Sequence, residues 1–314
     1  MSNKSNNQGR AYEFAYLINL EYEISKYRKV KVLENSSYDA AKKAWDSLND
    51  IKRGIYETSA LAGIGKIFEL EPLILENSDS EVELSIQSDD KGKNADVRDI
   101  LIKRNDISWE IGLSIKHNHF AVKHSRLSKK LDFGQKWYGF KCSDNYWSKI
   151  KPIFDFLDNS KGLKWSELHN KEDNVYIPLL NAFRNEILQQ YALNQEKVAK
   201  SMVEYLLGEF DFYKLISIDK KQITQIQAYN MHGDLGMKSQ FEIPLVCLPN
   251  QIIYLDFKKD SKNTLELYLN NGWQFSFRIH NASTMVESSL KFDVQIIGMP
   301  VSVLTINCIW SNNG

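Results

Sequence analysis

The sequence predicts an α/β (α+β) protein, with a core of helix, mixed β-sheet and helix, extra helices, and a β-rich C-terminal region. Three observations predict this. Apolar residues Phe14, Leu17, Ile18, Tyr22 and Ile24 recur near the helical period across residues 10–27. Two strand-like runs, residues 99–104 and 108–116, are joined by Asn105-Asp106, a connection short enough for a hairpin. Beyond Tyr213 the chain breaks into short alternating runs.

Taken in order, the first helix places Glu13 in its opening turn. Ser36 or Ser37 begins a second helix through Trp45, with Asp39 favourable in its early turns, and residues 55–68 read as a third despite Gly63 and Gly65. Residues 81–87 alternate Val82, Leu84 and Ile86 on one face, a strand signature. After the polar turn 88–94 come the two hairpin strands, then a basic helix over 123–137. Further helices are expected at 149–157, 175–191 and 196–210. Strands are expected at 222–229, 241–247, 251–257, 264–269, 273–279, 291–297 and 301–310, with Asn270-Asn-Gly272 as a hairpin turn. This pattern divides the chain into 1–160, a core with a helical insertion; 161–212, a helical connector; and 213–314, a β-rich region.

The chain's 314 residues suffice for a large core. Lys plus Arg number 40 and Asp plus Glu number 40, so a polyanionic partner must be argued from local clustering and not from net charge. Cys142, Cys247 and Cys308 show no CxxC or Cys/His spacing, which fits a reducing cytoplasm and argues against structural zinc. There is no apolar leader, and nowhere do some eighteen apolar residues run together. A cytoplasmic protein is expected.

The chemistry concentrates in the hairpin. Alternation along 109–116 sets Glu110, Gly112, Ser114 and Lys116 on one face and Ile111, Leu113 and Ile115 on the other. The polar set shares the face on which Asp99 is presented by the neighbouring strand. A carboxylate able to hold a divalent cation beside an ammonium able to offset charge or deprotonate water is minimal equipment for phosphodiester hydrolysis. Residues 91–141 hold twelve Lys or Arg against five Asp or Glu, plus three His, a local positive region in a neutral chain.

The order of Glu13 in a first helix, Asp99 before a strand and Ser114-Ile-Lys116 at the end of the next resembles the PD-(D/E)xK nuclease superfamily. More narrowly, Gln8-Gly-Arg-Ala-Tyr-Glu-Phe14, Asp96-Val-Arg-Asp-Ile-Leu-Ile102 and the run from Glu110 to Ser128 resemble HaeIII-type type II restriction endonucleases, with Asp132-Phe-Gly and Tyr146-Trp147 extending the likeness. Two departures from the superfamily pattern stand out. No proline precedes Asp96 or Asp99, and Ser114 replaces the acid of the (D/E)xK triplet. A hydroxyl is a poor substitute for a charged metal ligand, so a second carboxylate must come from Glu13 or Glu110, while Asp96 competes with Asp99 for the first position. The resemblance implies a PD-(D/E)xK-like core, Mg²⁺, 5′-phosphate and 3′-hydroxyl ends, and cutting of double-stranded DNA at the centre of GGCC. It also implies a cognate DNA methyltransferase as companion. A homodimer would serve a palindrome, and 213–314 would then serve DNA recognition or dimerisation.

His117-Asn118-His119 spells HNH, but that nuclease class draws its residues from a ββα unit with far larger spacings. His117, Asn118 and His119 are expected on a loop leaving the active strand, as DNA contacts. Lys123, His124, Arg126, Lys129 and Lys130 lie at helix-like spacings suited to phosphate contact. Arg278, His280 and Asn281 are candidate base contacts. Two other readings share the same features: a structure-selective repair or recombination nuclease, and a catalytically silent DNA-binding protein.

Overall fold

The computed structural model describes residues 2–88, 96–118 and 125–311, with side chains from residue 7 onward. The chain forms two compact units, one from residues 1–120, 209–246 and 301–314, the other from 121–208 and 247–300. The three consecutive segments expected from the sequence are therefore replaced by a chain that leaves the first unit and returns to it twice. Strand pairing is the reason. A strand near residue 215 completes a sheet begun before residue 120, and no local pattern announces so distant a partner.

The first unit begins with α1 (Ser2–Ser25), β1 (Val30–Leu33), α2 (Ser36–Asp46) and α3 (Asp50–Leu70), followed by β2 (Val82–Ile86), β3 (Ile100–Arg104) and β4 (Trp109–His117). After β5 (Arg126–Ser128), which belongs to the second unit, β6 (Phe212–Ile218), β7 (Ile223–Tyr229) and, later, β12 (Leu304–Ile309) return to it. The sheet order is β1-β2-β3-β4-β6-β7-β12, with β1–β2 and β4–β6 parallel and the other pairs antiparallel. The expected mixed sheet is present. Asn35 caps α2 by accepting from the N–H groups of Ser37 and Tyr38, and Asn49 caps α3 through the N–H of Lys52. Tyr12, Tyr16, Leu17 and Leu20 of α1 and Ile64 and Ile67 of α3 share one core with Ile111, Leu113 and Ile115 of β4 and with Leu215 and Ile226. The helices thus cover the face opposite to that of Asp99 and Lys116.

In the second unit α4 (Phe133–Trp137), α5 (Asp144–Asn159), α6 (Ile177–Leu193) and α7 (Gln195–Leu207) accompany β8 (Ile252–Phe257), β9 (Thr264–Leu269), β10 (Gln274–His280) and β11 (Ser289–Gly298). The sheet runs β5-β11-β10-β9-β8, all antiparallel. The expected Asn270–Gly272 turn joins β9 to β10, with Asn271 at φ 60° and Gly272 at φ 88°. Trp137, Phe183, Phe277 and Phe292 pack against one another in its core, mostly edge to face or tilted. The basic helix expected over 123–137 is not formed over its described part: Arg126–Ser128 is a strand, and only Phe133–Trp137 is helical. Its charges had helical spacing, but its apolar residues did not. Residues 241–247 alternate yet form no strand, since Phe241 and Leu245 face solvent at 50% and 60% exposure.

Glu71, immediately after α3, is fully buried, and its Oε1 accepts from the Tyr213 hydroxyl at 2.6 Å and the Gly236 N–H at 2.6 Å. Burial pushes this carboxyl up from 4.5 to about 7, against the lowering effect of those two bonds. The folded chain thus keeps a proton that the unfolded chain releases near 4.5, so the stability this group contributes is full below that pH and is lost as pH rises through about 7. Urea unfolding at pH 5 and pH 8 is expected to show the parent losing about 3 kcal/mol that Glu71→Gln does not lose. Equal losses in both proteins would refute the assignment.

Candidate active site

The β3–β4 ladder parts at Asp99. The Asp99 N–H still donates to the Leu113 carbonyl at 2.8 Å, but two residues further along β4 the Ile115 N–H meets no strand and donates to Asp99 Oδ2 at 2.6 Å. The side chain has taken over a ladder bond, which pins the carboxylate at the fork. Lys116 Nζ donates to the same oxygen at 2.9 Å and Ser114 Oγ at 3.3 Å. The Asp99 and Lys116 side chains keep 22% and 24% exposure, so the pair is accessible from solvent.

Glu13 stands near enough on α1 for its charge to act on Lys116. Burial disfavours the Lys116 ammonium, but the charges of Asp99 and Glu13, with the Asp99 hydrogen bond, outweigh it and raise the pKa. Asp99 and Lys116 thus meet at the C-terminal end of β4, where the charge of Glu13 is also felt. Among the described residues, no three or more His, Cys, Asp or Glu groups gather closely enough to hold a metal ion. Mg²⁺ is commonly bound through one or two carboxylates, with water and substrate phosphate completing its shell. Asp99 and Glu13 fit that donor set.

Lys214 escaped the sequence reading. It lies on β6 directly opposite Ser114 and hence on the Asp99 face, with only 3% exposure. Burial, reinforced by the Lys116 charge and opposed by Asp99, pushes it down to about 7. The available signal was a lone lysine inside the apolar run Phe212–Ile218.

Other candidates are placed elsewhere. Glu110 pairs with Lys103 and Arg98 at 2.6 and 2.8 Å, four residues from Ser114 along β4, roughly 13 Å at strand rise. It does not complete the Asp99 site. Asp96 accepts from Arg98 Nε and Nη2, each at 2.9 Å, and from Gln87 at 2.8 Å; these bonds overcome burial and hold its pKa low. This carboxylate serves Arg98, whereas Asp99 is the one that meets Lys116.

His117 falls on the helix-covered face. Its ring packs between Tyr56 and Tyr12, with centroids 4.7 and 5.4 Å away, and Nε2 meets Asp219 Oδ2 at 2.8 Å. Asn118, at φ 52°, uses its Oδ1 to accept the Asp219 N–H at 3.0 Å. Both residues brace the β6–β7 turn. His119, Lys123 and His124 lie outside the described residues.

In the second unit Arg126 pairs with Glu287 at 3.0 Å, and Lys129 with Asp155 at 3.0 Å and with Asp158, while Lys130 is exposed. Arg278 pairs with Asp293 at 3.2 Å, His280 is half-buried, and Asn281 donates to the Ser283 and Met285 carbonyls at 2.6 and 2.7 Å. Asn281 organises its own loop, and Arg126 and Lys129 are largely neutralised by neighbouring acids.

A mixed sheet backed by helices, carrying a pinned carboxylate and a lysine where two strands part, is a framework suited to an endonuclease. A family profile described as HaeIII restriction endonuclease matches residues 9–300. The chain is 51% identical over 317 residues to the type II restriction enzyme HaeIII of Haemophilus aegyptius, covering 99% of each. No solved structure matches. The chain belongs to the HaeIII restriction endonuclease family and is of the type II site-specific endonuclease class.

Proposed function

We propose that this enzyme hydrolyses both strands of double-stranded DNA at GGCC, between its central bases, with Mg²⁺, leaving blunt ends that carry 5′-phosphate and 3′-hydroxyl groups. The observation that carries the reading is the Asp99–Lys116 pair at the strand fork, solvent-accessible and with Glu13 close by. The 51% identity to HaeIII supports the target sequence.

In this reading Asp99 and Glu13 hold the cation. When bound, Mg²⁺ supplies a polarised phosphate and a more acidic water. Lys116 would orient the attacking water and offset negative charge as it builds on the phosphoryl oxygens, its own position fixed by Asp99 Oδ2. Ser114 donates to the same oxygen and adds no charge. A two-fold dimer would cut both strands of a palindrome symmetrically, and a DNA methyltransferase of the same specificity would protect the host genome in a bacterial cytoplasm. No helix among the described residues is long and apolar enough to cross a membrane.

Digestion of a mapped, unmethylated plasmid with Mg²⁺, followed by sequencing of the ends, tests this. Discrete fragments ending between G and C of GGCC are expected, and methylated plasmid should resist. Preference for branched DNA would favour a repair nuclease, and binding without cutting would favour a silent DNA-binding protein. Either result would overturn the proposal.

A further inference from the structure

The β6–β7 turn, Asp219–Lys221, lies at the same end of the sheet as Lys116, because β4 and β6 run parallel and His117 pairs with Ser217. The turn is fastened to the end of the catalytic strand. Asp219 bonds to His117 at 2.8 Å, to Ser217 Oγ at 2.7 Å and, through its N–H, to Asn118 at 3.0 Å, while the Asn118 N–H donates to the Ser217 carbonyl at 2.8 Å. Those bonds hold the Asp219 carboxyl down at about 2 despite its burial, and its charge faces inward toward His117. Lys220 and Lys221, the next two residues, are exposed, and among the described residues neither forms an ion pair.

Several cations elsewhere are paired. Lys103, Arg126, Lys129 and Arg278 each have a carboxylate partner. Within the dense region 91–141, Arg98, Lys103, Arg104, Arg126 and Lys129 are held by carboxylates, whereas Lys220 and Lys221, outside it, stand at the sheet end that carries Lys116. A third, Lys52, sits one turn before Tyr56 on α3, the residue that packs on His117. Lys52 also lines a cleft of about 510 Å³ with Asn7, Gln8, Ser47 and Asn49.

We infer that Lys220 and Lys221 form a phosphate-binding rim for the DNA backbone, held in register with Lys116 by the His117–Asp219–Asn118 brace. This inference rests on the endonuclease reading above and specifies where the duplex is gripped. Backbone contacts of this kind fix position without reading sequence.

The test is fluorescence anisotropy with duplex DNA in Ca²⁺, across a salt series, on the full-length parent and on Lys220→Ala/Lys221→Ala. Each phosphate contact contributes about 0.9 to the log–log salt slope, so the double variant should lose roughly 1–2 from that slope and bind at least about tenfold more weakly at low salt. Cognate and non-cognate duplexes should weaken alike. Lys220→Arg/Lys221→Arg should restore the slope, and Lys129→Ala should leave it unchanged. An unchanged slope in an alanine variant with parental circular dichroism would overturn the rim while leaving the nuclease assignment standing. A parent that neither cuts nor binds duplex would overturn the assignment itself.

Discussion

Replacing Lys116 with alanine is expected to lower single-turnover cleavage by at least about a thousandfold while duplex binding in Ca²⁺ changes little. The magnitude follows from what the ammonium touches. A positioned charge acting on a transition state is worth about 10²–10³ in rate, and holding the attacking water in line by a hydrogen bond adds to that. Both roles end with this one side chain. The fold should survive, because Asp99 Oδ2 keeps its bond from the Ile115 N–H at 2.6 Å and the removed group is only partly buried. Asp99→Asn should match Lys116→Ala in rate but differ in metal dependence, since it removes the proposed cation ligand and leaves Lys116 without its acceptor charge. Quenched-flow cleavage, paired with anisotropy in Ca²⁺, separates chemistry from binding. A Lys116→Ala rate within tenfold of the parent would move the chemistry away from the fork.

The fork was legible in the sequence because its signals are local. Ile111, Leu113 and Ile115 alternate with Gly112, Ser114 and Lys116 on a strand with one helix-covered face, and a short turn returns that strand to Asp99. The strand that completes the site was not legible. Phe212–Ile218 is central and buried on both faces, so it carries almost no alternation, and a short apolar run does not by itself distinguish strand from helix. Lys214 was hidden with it. The basic residues misled for a different reason. Composition records how many lysines and arginines a segment holds but not which of them have found carboxylates, and Arg126 and Lys129 pair with Glu287 and Asp155, far away in sequence. Their strength as DNA contacts depends on tertiary neighbours that local spacing does not reveal.

Gly112→Ala is expected to destabilise the protein by about 2–4 kcal/mol and to slow cleavage as well. Gly112 sits on the Asp99 face of β4, and a Cβ there would lie 2.0, 2.5 and 2.8 Å from Cδ, Cγ and Cβ of Arg98. Those atoms are the root of the side chain, not its mobile tip, so the whole arginine must move. Arg98 is 7% exposed, its guanidinium lies 4.0 Å from the Phe210 ring centroid, and it pairs with Asp96 and Glu110 at 2.9 and 2.8 Å. Displacing it strips the Asp96 carboxylate of its cation, while Glu110 keeps Lys103 at 2.6 Å, and losing one partner of a buried ion pair costs about 3–5 kcal/mol when nothing compensates. Because Arg98 is the residue before Asp99, the same shift carries the Asp99 carboxylate off the fork. Urea unfolding should show the loss for Gly112→Ala and for Arg98→Ala. In the double variant the two losses should fall well short of adding, since both remove one contact. Full additivity would mean that the glycine is needed for some reason other than room for Arg98.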